Sequence, residues 1–123
     1  MTYQELMIHS LSELLENNET LKYPIYATLQ QKNRHWYGFW GVTDHYLLSV
    51  LLVGSSKKIA WQSRIPLDIK AVQVKRALVP FQYKIHIAFC EGSPCDLRVS
   101  RKVVGFKQQE INLFKFIEYI NKA

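Results

Sequence analysis

The sequence predicts an α+β fold, in which the chain forms an N-terminal helix, one antiparallel sheet of seven short strands and a C-terminal helix. Between residues 23 and 103, apolar side chains recur at every second position, which is the period of a half-buried strand. At both ends of the chain they recur at the period of a helix. A chain of 123 residues, 48% of them hydrophobic, fits one folded domain with one core.

The N-terminal helix is predicted over residues 2–17. Thr2 followed by Glu5 is a capping-box pattern, which is typical of a helix start. Glu13 and Glu16 lie away from the apolar stripe, so the helix is expected to dock its apolar face on the rest of the protein. We therefore divide the chain into an N-terminal helix (1–20) and a main domain (21–123). The stripe consists of Met7, Leu11, Leu14 and Leu15.

Seven segments with alternating apolar residues follow, separated by turn-forming residues. The second and third form a hairpin around the short polar turn Thr43, Asp44 and His45. Gly38 and Gly41 in the second strand allow a bulge or a bend where the sheet curls. The alternation assigns all three tryptophans, Trp36, Trp40 and Trp61, to faces that point into the core. The predicted strands are 23–30, 35–42, 46–53, 58–65, 69–76, 81–90 and 96–103.

The C-terminal helix is predicted over residues 107–122. Its apolar stripe is formed by Leu113, Phe116, Ile117 and Ile120. A curled sheet of seven strands leaves an open end, and an amphipathic helix with aromatic residues is suited to close it. The predicted architecture is thus a curled sheet or barrel capped by the C-terminal helix, with an extra helix at the N-terminus.

Two stretches within this pattern resemble a known family. The segments 38–48 (GFWGVTDHYLL) and 65–69 (IPLDI) are similar to the hairpin and the following strand exit of bacterial pleckstrin-homology-like domains of the YokE type. The resemblance covers residues 22–123, and Tyr46 stands where the family's hairpin has an arginine. It implies a pleckstrin-homology fold without a catalytic centre, in a group whose members mostly have no assigned function.

The residue pattern also argues against an enzyme. His86 and Cys90 share a strand face but are four residues apart, about 13 Å, which is too far for a nucleophile and its base. No phosphate-binding loop or metalloprotease pattern occurs. The four acidic residues after Lys32 and before the last helix fall in predicted turns, where solvated carboxylates are the ordinary case: Asp44, Asp68, Glu91 and Asp96.

The two cysteines do not indicate a metal or a cofactor. Cys90 and Cys95 flank a four-residue loop, so their Cα atoms could approach disulfide distance if they form a cross-strand pair. In a reducing cytosol we expect free thiols. Two cysteines without a second pair of ligands supply half of a zinc site.

The charge is unevenly distributed along the chain. Residues 1–30 carry four acids and one lysine, whereas residues 31–123 carry 15 basic and six acidic residues. A basic main domain favours anionic partners, although it also serves solubility. The N-terminus has no secretory-signal pattern, and the apolar run 46–53 is too short to span a membrane, so a cytoplasmic protein is expected.

The candidate binding residues are basic. A first group is predicted to project from one face of the sheet, and a second belongs to the first hairpin loop, the region that holds inositol phosphates in lipid-binding pleckstrin-homology domains. This loop lacks the further Lys/Arg-x-Arg of those domains, and the alternative is that these are ordinary solvated side chains. The first group is Lys58, Arg64, Lys75, Lys84, His86, Arg98 and Lys102, and the second is Lys32, Arg34 and His35.

These observations predict a non-catalytic adaptor whose partner is a protein, met at an open sheet edge or beside the last helix. The alternative is peripheral attachment to anionic membrane lipids through the basic residues. Nucleic acid is disfavoured, because the tryptophans that would stack on bases are assigned to the core. A further hypothesis is that the acidic N-terminal helix covers and masks part of the basic face.

Overall fold

The computed structural model describes all 123 residues and confirms the predicted order of elements. It contains two helices and seven antiparallel strands. Neither helix has the length and apolar character that would let it cross a membrane. The elements are α1 (Tyr3–Ser12), β1 (Lys22–Gln31), β2 (Arg34–Val42), β3 (Tyr46–Leu52), β4 (Ile59–Pro66), β5 (Ile69–Arg76), β6 (Gln82–Phe89), β7 (Cys95–Ser100) and α2 (Gln109–Lys122).

The strands form a single curled sheet in the order β4-β3-β2-β1-β7-β6-β5. β4 and β5 are its two edges and do not pair with each other, so the sheet is not closed into a complete barrel. The inner face encloses a cluster of 16 buried residues. Leu113, Phe116 and Ile120 of α2 belong to this cluster, so the C-terminal helix packs against the interior of the curl as its apolar stripe predicted.

A second apolar cluster lies on the outer face of the sheet, under α1. Because β3 packs against the interior on one side and against α1 on the other, it is apolar at nearly every position instead of alternating. The N-terminal helix is therefore anchored to the sheet by buried side chains. The cluster comprises Met7, Leu11, Phe39, Leu48, Val50, Leu52 and Phe106.

The capping box of α1 is present, with Thr2 and Glu5 exchanging both hydrogen bonds. The helix ends at Ser12, however, and not at residue 17 as predicted. The helical spacing of apolar residues extends past Ser12 because Leu14 and Leu15 also pack against the outer cluster, although they follow the end of the helix. The left-handed backbone of Asn18 (φ 68°) turns the segment that leads into β1.

Trp61 lies on the inner face of the sheet, opposite Leu51, as predicted, but it is not buried in the core. The pairing of β3 with β4 shifts by one residue between Leu51 and Leu52, which places a bulge near Ala60. Because a bulge interrupts the alternation, Ile59 packs in the outer cluster instead of facing inward as predicted, whereas Trp61 keeps the inner face and is 65% exposed. Gly38 and Gly41 pair in regular register with β3, whereas the pairing of β1 with β2 shifts between Lys22 and Ile25, opposite Gly41.

Several boundaries in the second half of the sheet differ from the prediction. β6 begins at Gln82, because Phe81 has a left-handed backbone (φ 64°) and is 55% exposed instead of facing the core. β7 starts at Cys95 and ends at Ser100. Cys90 and Cys95 are not cross-strand partners, since Ile87 lies opposite Cys95 and the Cys90 N–H donates to the Asp68 carbonyl.

Candidate functional site

Three basic residues lie side by side across neighbouring strands on the outer face of the sheet. Lys75 of β5 pairs with Lys84 of β6, and Lys84 pairs in turn with Arg98 of β7. We call these three residues the basic row. Because adjacent strands are about 4.8 Å apart, the row places three positive charges within about 10 Å of backbone. The sequence predicted all three residues on one face of the sheet, and the strand order makes them direct neighbours.

The basic row has no internal counter-charge. None of its three members is within ion-pair distance of a carboxylate. Lys75 and Lys84 are exposed, and the buried Nε of the half-buried Arg98 has no hydrogen-bond partner in the protein. Like charges directly opposite each other destabilise a sheet. An anion bound at the row would remove that repulsion.

The row borders a groove of about 450 Å³ on the same face. Lys32, from the turn between β1 and β2, lines the groove together with Lys75 and Lys84. His86 and Asp96 also line it, with His86 Nδ1 and Asp96 Oδ1 2.5 Å apart, so one carboxylate offsets part of the positive charge. The lining contains no hydroxyl or thiol group. This arrangement is suited to holding an anion.

Arg64 is held away from this groove. It lies on β4, at the opposite edge of the sheet, where its guanidinium donates to Glu19 at 2.6 and 3.0 Å and to Glu16 at 3.0 Å. It also stacks on the ring of Tyr46, with 4.1 Å between the guanidinium carbon and the ring centroid. Of the predicted binding residues, Arg64 is therefore the one that the acidic N-terminal segment contacts.

The other four predicted residues are dispersed around the groove and beyond it. Lys58 lies in the loop between β3 and β4, and Lys102 follows β7, 5.7 Å from the ring of Phe81. Arg34 and His35 begin β2 and are exposed, next to the turn that carries Lys32, but they do not line the groove. The structure therefore brings Lys32, His86 and the basic row together and separates the rest.

A second surface, at the β5 edge, was not predicted as a site. Val74 of β5 is 37% exposed, and Phe114 of α2 is 44% exposed and packs edge-on against Tyr83 at 6.0 Å between ring centroids. Tyr83 also lines a cavity of about 300 Å³ together with Val79 and Phe81, which belong to the connection between β5 and β6. The consecutive apolar residues 78–81 were the signal in the sequence, since such residues are unusual in a surface connection.

The β5 edge also leaves backbone groups free. β5 pairs with β6 on one side and with no strand on the other. An edge of this kind presents N–H and C=O groups that can pair with an additional strand. Its outward side chains include Lys75 of the basic row, so an apolar and a basic surface meet along one strand.

No known protein family and no curated protein matches this sequence. Solved structures do match. The C-terminal domain of an unknown protein from Leishmania infantum aligns over 97% of this chain and 98% of its own, with a TM-score of 0.61 and 14% identity. The hSac2 domain of the human phosphoinositide phosphatase Sac2 aligns over 98% of this chain and 81% of its own, with a TM-score of 0.60 and 14% identity.

A third match is a pleckstrin-homology domain from Shewanella amazonensis. It aligns over 98% of this chain and 99% of its own, with a TM-score of 0.55 and 18% identity. Similarities at this level of identity concern the fold alone. Together with the seven-stranded curled sheet and its C-terminal helix, they show that this chain has a pleckstrin-homology-like fold.

Proposed function

We propose that this protein is a non-catalytic binding module of the YokE type that docks an extended, acidic protein segment along the β5 edge. The observation that carries the proposal is the combination on one strand of free backbone groups, apolar side chains on one side and the basic row on the other. The proposal includes a cytoplasmic location and the division of the chain into residues 1–20 and 21–123.

The chemistry of the partner follows from strand geometry. A segment that pairs with β5 presents its alternate side chains to opposite faces of the sheet. One set meets Val74 and Phe114 beside α2, and the other set meets Lys75 and Lys84. The segment that fits best therefore alternates apolar and acidic residues.

A labelled peptide of alternating valine and glutamate residues tests this proposal by fluorescence anisotropy. The double variant Lys75→Glu/Lys84→Glu is expected to bind it roughly 10-fold more weakly or worse, because attraction becomes like-charge repulsion. The matched control is Lys58→Glu/Lys107→Glu, which changes the net charge equally at exposed positions outside the row. Equal affinities for the two variants would refute the proposal.

A second candidate function is attachment to an anionic membrane surface through the groove. The convergence of Lys32, Lys75, Lys84 and His86 on one cavity favours it. Vesicles of phosphatidylcholine with and without phosphatidylinositol phosphates would separate the two functions in a sedimentation assay. Membrane attachment predicts binding to the anionic vesicles at low salt and release at high salt. Binding of the peptide but not of the vesicles would support docking of a protein segment and contradict membrane attachment.

The same vesicle assay tests the hypothesis that the acidic N-terminal helix masks part of the basic face. Glu16 and Glu19 reach Arg64, and the basic row has no acidic residue against it. Deleting residues 1–20 is predicted to raise affinity for the anionic vesicles if the N-terminal segment masks the basic face. Unchanged retention on the vesicles would contradict this hypothesis.

A further inference from the structure

A second cavity, of about 430 Å³, opens on the inner face of the curled sheet. Its walls come from β1 to β4 and from the connection between β6 and β7, and no residue of β5 lines it. All three tryptophans of the chain belong to these walls: Trp40 is buried, Trp36 is half-buried and Trp61 is 65% exposed. This cavity is distinct from the groove and from the β5 edge described above.

The lining of this cavity is uncharged. None of its 13 residues is a lysine, arginine, aspartate, glutamate or histidine, although the chain carries 26 Lys, Arg, Asp and Glu residues. Eight of the 13 are hydrophobic. An ion would lose its hydration on entering such a space without gaining a partner. The occupant is therefore uncharged where it is enclosed.

The polar part of the cavity wall includes a pair of serines. The indole Nε1–H of Trp40 also has no acceptor in the protein, but surrounding atoms close it off from the cavity. Opposite Trp40 on β3 lies Ser49, whose hydroxyl is 2.5 Å from that of Ser63 on β4. Of two paired hydroxyl groups only one donates to the other, so one O–H remains free to donate. A free hydroxyl donor in an apolar cavity suits an oxygen acceptor.

We propose that this cavity binds an uncharged small molecule with a flat aromatic or aliphatic body and a carbonyl-type oxygen. The body packs between Trp36, Trp40 and Trp61, and the oxygen accepts from the free hydroxyl of the Ser49 and Ser63 pair. The volume falls in the range of known small-molecule sites, which combine apolar walls with a few placed polar groups. An apolar side chain of a partner protein is a poorer occupant, because it would leave the free serine hydroxyl without an acceptor.

The neutral fluorescent ketone 6-propionyl-2-(dimethylamino)naphthalene is a suitable probe, and its analogue with a propyl group in place of the propionyl group lacks the acceptor. Binding of the ketone should be saturable, should shift its emission to shorter wavelength and should quench the tryptophan emission, because every tryptophan lines the cavity. The ketone should bind the folded protein about 2- to 10-fold more tightly than the propyl analogue, as expected for one hydrogen bond.

Two variants assign the site. The double variant Ser49→Ala/Ser63→Ala removes both hydroxyl groups, so the preference for the ketone over the propyl analogue should disappear. Trp61→Ala removes an exposed wall and should weaken binding of both probes by up to about 10-fold, the magnitude of one aromatic contact. Because Trp61 is exposed, the second variant is expected to fold even if the first does not. Phe81→Ala, an exposed aromatic residue outside the cavity, is the matched control and should bind both probes as the unmodified protein does.

The proposal is overturned if neither probe binds saturably, or if Trp61→Ala and Phe81→Ala bind the probes equally. It is also overturned if the unmodified protein shows no preference for the ketone. Because the cavity and the β5 edge share no residue, these results do not depend on whether the acidic peptide binds.

Discussion

Gly38 and Gly41 of β2 show how closely neighbouring parts of the chain approach one strand. A Cβ atom at Gly38 would lie 2.6 Å from the Val50 carbonyl oxygen and 2.9 Å from a methyl group of Leu51. At Gly41 the nearest atom would be a methyl group of Leu21, at 2.7 Å. The first obstacle is backbone of the paired strand, and the second is the end of a flexible side chain.

Gly38→Ala is therefore predicted to destabilise the protein more than Gly41→Ala. We expect Gly38→Ala to lower the free energy of unfolding by roughly 1–3 kcal/mol, because β3 must shift to admit the new methyl group. The Leu21 side chain can move aside at Gly41, so that variant should lose less. Urea unfolding of the two variants measures the difference, and equal losses would show that the contact with the Val50 carbonyl is not the cause.

Arg64 links the N-terminal segment to the edge of the sheet. Hydrogen bonds from Arg64 and from the Glu16 backbone N–H lower the pKa of Glu19 from its ordinary value of 4.5 to about 2. A carboxyl group whose pKa is lower in the folded than in the unfolded protein stabilises the fold above its unfolded pKa. That contribution is lost as the pH falls from about 4.5 towards 2.

Glu19→Gln is predicted to reduce the dependence of stability on pH in this acidic range. The variant should be less stable than the unmodified protein at neutral pH, and the two should converge as the pH approaches 2. Thermal unfolding at a series of pH values measures this. Glu91→Gln, at an exposed position without an ion pair, is the control and should keep the original slope. A Glu19→Gln variant with the same slope would exclude Glu19 as the source.

At the scale of secondary-structure elements, Gln109 joins α2 to the centre of the sheet. β1 and β7 pair directly at two positions, Thr28 with Arg98 and Leu29 with Leu97. Beyond them the buried amide of Gln109 accepts from the Tyr26 N–H at 3.0 Å and donates to the carbonyls of Tyr26 and Ser100 at 2.8 and 3.0 Å. The Gln109 side chain thus replaces backbone hydrogen bonds that β1 and β7 do not make with each other at this position.

Gln109→Ala is predicted to destabilise the protein by roughly 2–4 kcal/mol, because three partly buried backbone groups lose a partner. Amide hydrogen exchange at Tyr26 should accelerate. Gln108→Ala, one position earlier and exposed, should change the free energy of unfolding by less than about 0.5 kcal/mol. Similar losses for the two variants in urea unfolding would contradict this role for Gln109.

At the scale of the whole molecule, the two halves of the outer sheet face have opposite character. The half formed by β2 and β3 is apolar and lies under α1, whereas the half formed by β5, β6 and β7 is basic. The net charge of +6 is therefore concentrated in part on a surface that no helix covers. Like-charge repulsion within the basic row lowers the stability of the free protein, so the binding of an anion there should raise it.

Tripolyphosphate is predicted to raise the melting temperature more than sodium chloride of equal ionic strength. At ten times its dissociation constant, an anion that binds the folded protein adds about 1.4 kcal/mol, or about 3–6 °C. Lys84→Gln should reduce this effect and raise the stability without anion by roughly 0.2–1 kcal/mol, because it removes the central charge of the row. Lys58→Gln is the control. Equal responses of the two variants to tripolyphosphate would contradict a site at the row.

The sequence by itself determined the order and type of the elements. Alternation in segments such as 25–29, the capping box at Thr2 and Glu5, and the stripe of Leu113, Phe116 and Ile120 are local patterns, and each forms the element that it predicted. These patterns depend on the geometry of a single strand or helix, which a short stretch of residues encodes.

The tertiary structure decided which side chains meet. The strand order places β5, β6 and β7 side by side, which assembles the basic row, and it places Arg64 at the other edge, within reach of Glu19. One bulge near Ala60 separates the faces of Ile59 and Trp61 and leaves Trp61 at the mouth of the inner cavity. Strand order and register arise from contacts between residues far apart in the chain, and hydrophobic periodicity within one segment carries no information about them.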